Sequence, residues 1–163
     1  MKSINNIAVL GNFWGDEGKA RTIHHISLQG NHKFLFRQSG SQNAGHTIYH
    51  NGMKIVRNAL PSVDFSNPNN FAFLGSDMVL HPESLLLELQ RNESQFPGSS
   101  KNIIIDPDMF VITDLHLEED KANKILYGST GKGVSCAYRD KIYRKGTKLL
   151  SLIKDNSDRK SVV

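Results

Sequence analysis

Four short apolar runs recur along the chain: Ile7-Ala8-Val9-Leu10, Phe34-Leu35-Phe36, Phe71-Ala72-Phe73-Leu74 and Ile103-Ile104-Ile105. Continuous apolar runs of this length are the mark of strands buried on both faces. Helix-like segments lie between them. One runs from about Lys19 to Leu28. A second opens at Pro82, which suits a first helical turn, and reaches about Arg91, with Leu85, Leu86 and Leu89 as its core face. A third starts at Asp114, read as its cap, and contains Leu115, Leu117 and Ala122. Strands alternating with helices predict an α/β fold, a mostly parallel sheet with flanking helices. The expected sheet strands lie near residues 7–10, 34–37, 71–75 and 103–106. Asn51-Gly52, between Thr47–His50 and Met53–Val56, predicts a β-hairpin with a type I′ turn, projecting from this body. Ser94–Ser100, with Pro97-Gly98, reads as a loop. Residues 1–153 are expected to form one domain, and the polar residues 154–163 a fraying tail.

Composition narrows the class. The chain has 163 residues, 38% apolar and 22% charged, so one folded domain is expected. A net charge of +4 favours small polyanions such as nucleotides and is too mild for nucleic-acid binding. The single cysteine, Cys136, excludes an internal disulfide framework and a cysteine-rich zinc site. No apolar run approaches a membrane span, and the first residues have no signal-peptide core. A cytoplasmic protein with no membrane partner is the expectation.

Three segments carry chemistry. Gly11-Asn12-Phe13-Trp14-Gly15-Asp16-Glu17-Gly18-Lys19 follows the first apolar run directly. A glycine-rich loop between strand and helix lets backbone N–H groups approach phosphate, and Lys19 adds a point charge. It is not a Walker A loop: the glycine spacing is wrong, and Ala20 follows the lysine. A βα turn with solvated charges has the same composition. The second segment, Arg37–Thr47, gathers small residues, amides and His46 at the carboxyl end of a strand, the edge where open α/β sheets bind ligands. His46 has the chemistry of a proton donor or electrostatic stabiliser, and equally that of a solvated loop histidine. The third, Gly128-Ser129-Thr130-Gly131-Lys132-Gly133, precedes Tyr138, Asp140, Lys141 and Arg144. Amides, hydroxyls and cations together suit a phosphate monoester; a surface loop with a basic run is the alternative.

Taken together, these segments resemble the adenylosuccinate synthetase family, over about Ile7 to Gly146. Trp14-Gly15-Asp16-Glu17-Gly18-Lys19 and Asn43-Ala44-Gly45-His46-Thr47 match its two main signatures. Leu60-Pro61-Ser62, Gly128–Gly133, Ala137-Tyr138 and Asp140-Lys141 match in the family's order. The resemblance implies ligation of L-aspartate to IMP, driven by GTP. It implies catalytic roles for three residues. Asp16 would take the purine N1 proton, His46 would stabilise the departing β-phosphate, and Lys19 would neutralise developing charge. It implies Mg²⁺ held by Asp16 and the Gly45 carbonyl, since hard cations prefer oxygen. Nucleotide contacts fall on Gly15, Glu17, Gly18, Asn43, Ala44, Gly45, Thr47, Ser129, Thr130 and Arg144. Asn43 and Thr130 would meet IMP, and Arg144 the IMP phosphate of a partner subunit across a homodimer.

The departures from the family pattern are Ala20, Ser39, Ser41, Ser76-Asp77 and Ser135-Cys136, several standing where relatives have glycine. Each added Cβ is expected to restrict the backbone. The resemblance covers only an N-terminal half. The guanine-reading Lys-x-Asp motif and the arginine-rich L-aspartate loop have no counterpart after Gly146. The leading expectation is therefore a synthetase-type protein, incomplete as this chain alone. The alternative is a non-catalytic half-length paralogue that binds nucleotide or docks on a full-length synthetase. A phage-type synthetase making 2-aminoadenylosuccinate from dGMP ranks lower, because that branch usually lacks the carboxylate at the Asp16 position.

Overall fold

A computed structural model describes residues 6–30 and 32–153. The expected tail at 154–163 lies outside the described residues. The elements, in chain order, are α1 (Lys19–Leu28), β1 (Phe34–Gly40), β2 (His46–His50), β3 (Met53–Arg57), β4 (Phe71–Leu80) and α2 (Pro82–Gln95). They continue with β5 (Ile103–Ile105), β6 (Phe110–Val111), α3 (Asp114–Ala122), α4 (Lys124–Tyr127) and α5 (Val134–Ile142).

The main sheet is parallel throughout. β4 is its axis: β1 pairs from Phe34↔Phe71 to Gly40↔Met78, β5 pairs at Ala72↔Ile103 to Leu74↔Ile105, and β6 pairs at Val79 and Leu80. Three of the four expected sheet strands form here, and β1 and β4 run longer than the apolar runs that announced them.

The fourth does not form. Ile7–Leu10 has no strand assignment, Ile7 is 47% exposed and Leu10 85%. An apolar run becomes a strand only when a neighbour pairs with its backbone, and among the described residues none does.

The hairpin forms as its own two-stranded antiparallel sheet, in register from His46↔Arg57 to His50↔Met53. Asn51 and Gly52 take φ of 48° and 78°, the paired positive angles of a type I′ turn. Its inner face enters the core: Ile48 and Ile55 are each 1% exposed. They pack with Leu35, Leu60, Leu74 and Met78, against which Ala20 and Ile23 of α1 also rest.

α2 corrects the expected core face. Leu85 is buried, but Leu86 is 55% exposed, and Glu88 is fully buried. The Glu88 carboxylate accepts the backbone N–H groups of Asn58 (2.7 Å), Ala59 (2.7 Å) and Leu60 (3.2 Å). Those donors leave β3 without a strand to pair with, so the carboxylate does what a neighbouring strand would do. α2 also extends through Gln95, and a 3₁₀ turn occupies Ser99–Asn102, so the expected Ser94–Ser100 loop is largely structured. Thr113, not Asp114, caps α3, in a capping box with His116.

Candidate functional site

The carboxyl ends of β1 and β4 lie side by side and open onto a cleft of about 680 Å³. Gln42 follows β1 and His81 follows β4, and the His81 N–H donates to Gln42 Oε1 at 3.0 Å. Asn58, Arg91 and Lys132 add polar groups to the walls, and Leu87 and Leu117 add apolar ones. Adjacent strand ends in a parallel sheet are the common place for a ligand. Asn58, His81 and Arg91 escaped the sequence reading because they stand outside any recognisable motif; only the strand pairing puts them together.

The second and third segments meet at this edge. Lys132 Nζ reaches the Asn43 carbonyl at 3.5 Å, and Asn58 Nδ2 donates to the Ala44 carbonyl at 3.0 Å. The Tyr138 hydroxyl on α5 anchors the arrangement. It accepts the Gly40 N–H at 2.9 Å and lies 2.9 Å from the Asp77 carbonyl. Asp120, 3% exposed, accepts the Gly133 N–H at 2.8 Å and shapes the third loop from below. Ser129 braces it by accepting the Gly131 N–H at 3.2 Å. Thr130 is exposed, as are Asn43, Ala44, Gly45 and Arg144, while Thr47 is half-buried within β2.

The first segment is an anion cradle already holding an anion. The Glu17 carboxylate accepts the N–H of Phe13 (3.0 Å) and of Gly15 (3.3 Å), and Lys19 Nζ donates to its other oxygen. The lysine hydrogen bond, then the loop amides, hold the Glu17 carboxyl at about 2, well below the usual carboxylate range. A Cβ at Gly11 would come within 2.6 Å of Lys19 Nζ and 2.9 Å of Glu17 Oε1, so a larger residue there would displace the tips of these two side chains. Gly18 heads α1, placing the cradle at a helix N-terminus. Asp16 has φ of 57°, a left-handed conformation that Asp adopts more readily than most residues, and its side chain is exposed.

His46 opens β2 and is half-buried. Burial pushes its imidazole below the ordinary range, and the positive charges of Arg37 and Lys19 push the same way against Glu88. His46 is therefore a neutral N–H donor near neutral pH, and it feels Lys19 of the cradle. The cleft walls themselves include none of Asp16, Lys19, His46 or Thr130. Among the described residues no group of three His, Cys, Asp or Glu side chains is placed to hold a metal ion. The Asp16 carboxylate and Gly45 carbonyl are oxygen donors of the kind Mg²⁺ takes, and a phosphate group and water would have to complete the shell.

The expected backbone penalties at the departures do not arise. Positive φ outside glycine occurs, among the described residues, at Asp16, Asn51 and Arg144. Asp77 is neutralised locally: Lys141 Nζ lies 3.3 Å away and Gln38 Nε2 donates at 3.3 Å. Among the described residues no helix is long and apolar enough to cross a membrane.

A family model described as adenylosuccinate synthetase matches residues 8–162. The adenylosuccinate synthetase of Finegoldia magna is 37% identical over 98% of this chain, which spans 38% of that protein. That of Petrotoga mobilis is 39% identical over 91% of this chain and is spanned over 36% of its length. Among solved structures, the fully ligated adenylosuccinate synthetase of Plasmodium falciparum superposes with a TM-score of 0.78. It is 30% identical, over 91% of this chain and 35% of that one. The cyanophage S-2L succinoaminodeoxyadenylate synthetase PurZ, bound to dGMP and dATP, shares the fold at a TM-score of 0.70 and 23% identity. The chain thus spans somewhat more than a third of the relatives it matches, less than the half expected from its motifs.

Proposed function

The chain belongs to the adenylosuccinate synthetase family, and on that premise we propose that it supplies the phosphate-binding and proton-transfer part of a GTP-dependent ligase joining L-aspartate to IMP. The observation that carries this reading is the cradle at the N-terminus of α1. Two loop amides and an ammonium converge there on one carboxylate, an arrangement that accepts a phosphate oxygen as readily.

The proposed chemistry uses residues of this chain at named atoms. The Asp16 carboxylate takes the proton from purine N1, and the electron pair moves to O6. O6 attacks the γ-phosphorus of GTP, and the bond to the β-phosphate oxygen breaks, releasing GDP. The amino group of L-aspartate then displaces the O6 phosphate and loses a proton, giving adenylosuccinate and inorganic phosphate. His46, neutral and half-buried, donates its N–H to the β-phosphate as charge develops there. Lys19, freed from Glu17, neutralises the same charge. Asn43 and Thr130 contact the IMP, Gly15, Glu17, Gly18, Ala44, Thr47 and Ser129 line the nucleotide site, and Arg144 reaches a phosphate in a partner subunit. Asp16 and the Gly45 carbonyl would hold Mg²⁺, which when bound offsets phosphate charge.

Groups for guanine and for L-aspartate are absent from the motifs of this chain, and orienting two reactants is worth on the order of 7–11 kcal/mol at best. The expected result is purine monophosphate binding without useful turnover by the chain alone. The test is incubation of purified chain with IMP, GTP, L-aspartate and Mg²⁺, alongside calorimetric titration with IMP. Binding weakened by Thr130→Ala supports the reading. Turnover by the chain alone, abolished in Asp16→Asn, would show the remaining two-thirds of the family fold to be dispensable. Absence of any nucleotide binding would favour a non-catalytic chain that docks on a full-length synthetase.

A further inference from the structure

The chemistry proposed above uses none of the side chains that wall the cleft of about 680 Å³ at the ends of β1 and β4. One wall is a stripe of α2. Ser84, Leu87, Arg91 and Ser94 stand at i, i+3, i+7 and i+10, positions that share one helix face. At about 1.5 Å of rise per residue the stripe runs roughly 15 Å, longer than a bare inorganic anion requires. Lys132, from the loop before α5, and Leu117, from α3, complete the walls, and Gln42 lies at the end of β1. A cleft of this size at the carboxyl ends of parallel strands has the place and the volume of a small-molecule site.

Three donors of this cleft are uncommitted. Gln42 is 7% exposed, and its Oε1 accepts the His81 N–H at 3.0 Å. Only the oxygen end of an amide can accept, so this bond fixes the flip and leaves the NH₂ end to the cleft as a donor. Arg91 Nε touches the Leu87 carbonyl at 3.4 Å, and Lys132 Nζ makes a long contact of 3.5 Å with the Asn43 carbonyl. Among the described residues neither cation pairs with a carboxylate, whereas Lys19, Arg139, Lys141 and Lys148 each do. The Asp114 carboxylate, 3.7 Å from His81 Nε2, is 90% exposed and screened by solvent. A nearly buried donor calls for an acceptor, and two unpaired cations on the same cleft select an anionic one. Asn58 Nδ2 is engaged with the Ala44 carbonyl at 3.0 Å, which leaves its Oδ1 as an acceptor.

We infer that this cleft binds a small phosphate monoester carrying hydroxyl groups, of the sugar-phosphate class. The phosphate dianion takes the Arg91 guanidinium, the Lys132 ammonium and the Gln42 NH₂, three donors that one carboxylate would not use in full. Ser84, Ser94 and the Asn58 Oδ1 exchange hydrogen bonds with the hydroxyls of the body, and Leu87 and Leu117 cover its C–H surface. The inference rests on the cleft alone and not on the ligase reading, since neither Lys19 nor Thr130 takes part in it.

The test is titration calorimetry of the purified chain with ribose 5-phosphate, with inorganic phosphate and malonate as controls. Ribose 5-phosphate is expected to bind about tenfold more tightly than either control, the equivalent of one or two added hydrogen bonds. Arg91→Ala, at an exposed position, should weaken it on the order of tenfold or more. Gln42→Glu keeps the acceptor for the His81 N–H and replaces the donor by a negative charge, so binding should be lost. Urea midpoints check that both variants fold. Should Gln42→Glu not fold, Arg91→Glu reverses a charge on the exposed stripe and is expected to abolish binding instead. Lys19→Ala and Thr130→Ala should leave ribose 5-phosphate affinity unchanged. No binding, binding indifferent to the cleft variants, or malonate binding as tightly as the sugar phosphate overturns the inference. So does loss of binding in Lys19→Ala or Thr130→Ala, which would put the ligand on the signature loops. A chain that binds ribose 5-phosphate as expected but fails to bind IMP keeps the cleft and counts against the ligase reading instead.

Discussion

Glu88 and Glu17 are both carboxylates that accept backbone N–H groups, and they do so in opposite surroundings. Glu88 is 2% exposed and takes its three donors from residues 28 to 30 positions away, tying α2 to the chain leaving β3. Glu17 takes its donors from within four residues, in a loop where Phe13 is 79% exposed and Trp14 fully so. The first carboxylate is part of what folds the chain. The second only closes a loop on itself, so its donors can be given up to another anion while the body stays folded. The loop bearing the first family signature is thus held less firmly than the chain that leaves β3.

The largest expected effect tests that contrast directly. Glu88→Ala leaves three backbone donors buried without partners and should cost roughly 3–5 kcal/mol of stability. Glu17→Ala should leave the urea midpoint where it is. Equal shifts in the two variants, read by urea unfolding, would break the comparison. A somewhat smaller pair uses apolar side chains. Ile48→Ala, at 1% exposure between the hairpin and α1, should cost roughly 2–4 kcal/mol. Leu10→Ala, at 85% exposure, should cost nothing measurable. A destabilised Leu10 variant would mean that Ile7–Leu10 is paired in solution.

The pH dependence separates the regions again, with a smaller effect. Burial pushes His24 below its ordinary range, only partly opposed by the Ser62 backbone facing the ring, and His50, in edge contact at 5.7 Å, pushes the same way against Asp64. Among the described residues neither ring nitrogen of His24 has a hydrogen-bond partner. The unfolded chain therefore binds a proton at His24 before the folded chain does. Stability should be full above about pH 6.5 and fall as the pH drops below it. The half-buried His46 adds in the same direction. Glu17, held at about 2 against an ordinary value of 4.5, stays ionised through the range from pH 7.5 to 5, so the cradle adds little to that slope. Urea midpoints between pH 7.5 and 5 should show the loss, and His24→Gln should flatten it. An unchanged slope in that variant would move the effect elsewhere.

Much of this contrast was hidden in the sequence for a physical reason. β1, β4 and β5 announce themselves as apolar runs, Asn51-Gly52 fixes the hairpin turn, and Pro82 opens α2. Burial on both faces was inferred from the same runs, yet Phe34 and Phe36 are exposed, because a run cannot report whether the opposite face has a partner. Leu86 and Glu88 exchange the burial that their types imply, since the three N–H donors that claim Glu88 come from a segment some thirty positions earlier. The site divides in the same way. Asp16, Glu17 and Lys19 are legible because the cradle is local, whereas His81, Asn58 and Arg91 become neighbours only when β1 and β4 align.

The smallest expected effect sharpens the comparison most. In the cradle, Glu17 and an incoming phosphate compete for the Phe13 and Gly15 amides and for Lys19. An exposed lysine–carboxylate pair is weak, because water and salt screen it and ordering two side chains costs entropy. Removing the competitor should therefore raise phosphate affinity only a few-fold. Glu17→Ala should bind inorganic phosphate or pyrophosphate slightly more tightly than the wild-type chain, and the gain should shrink with added salt as screening grows. Lys19→Ala should lose binding in either background, since the ammonium is the one full charge at the cradle that attracts the anion. Titration calorimetry at low and moderate ionic strength reads both. Weaker binding in Glu17→Ala would mean that the carboxylate holds the loop in its receptive shape, making the signature region less separable from the fold than the contrast with Glu88 implies.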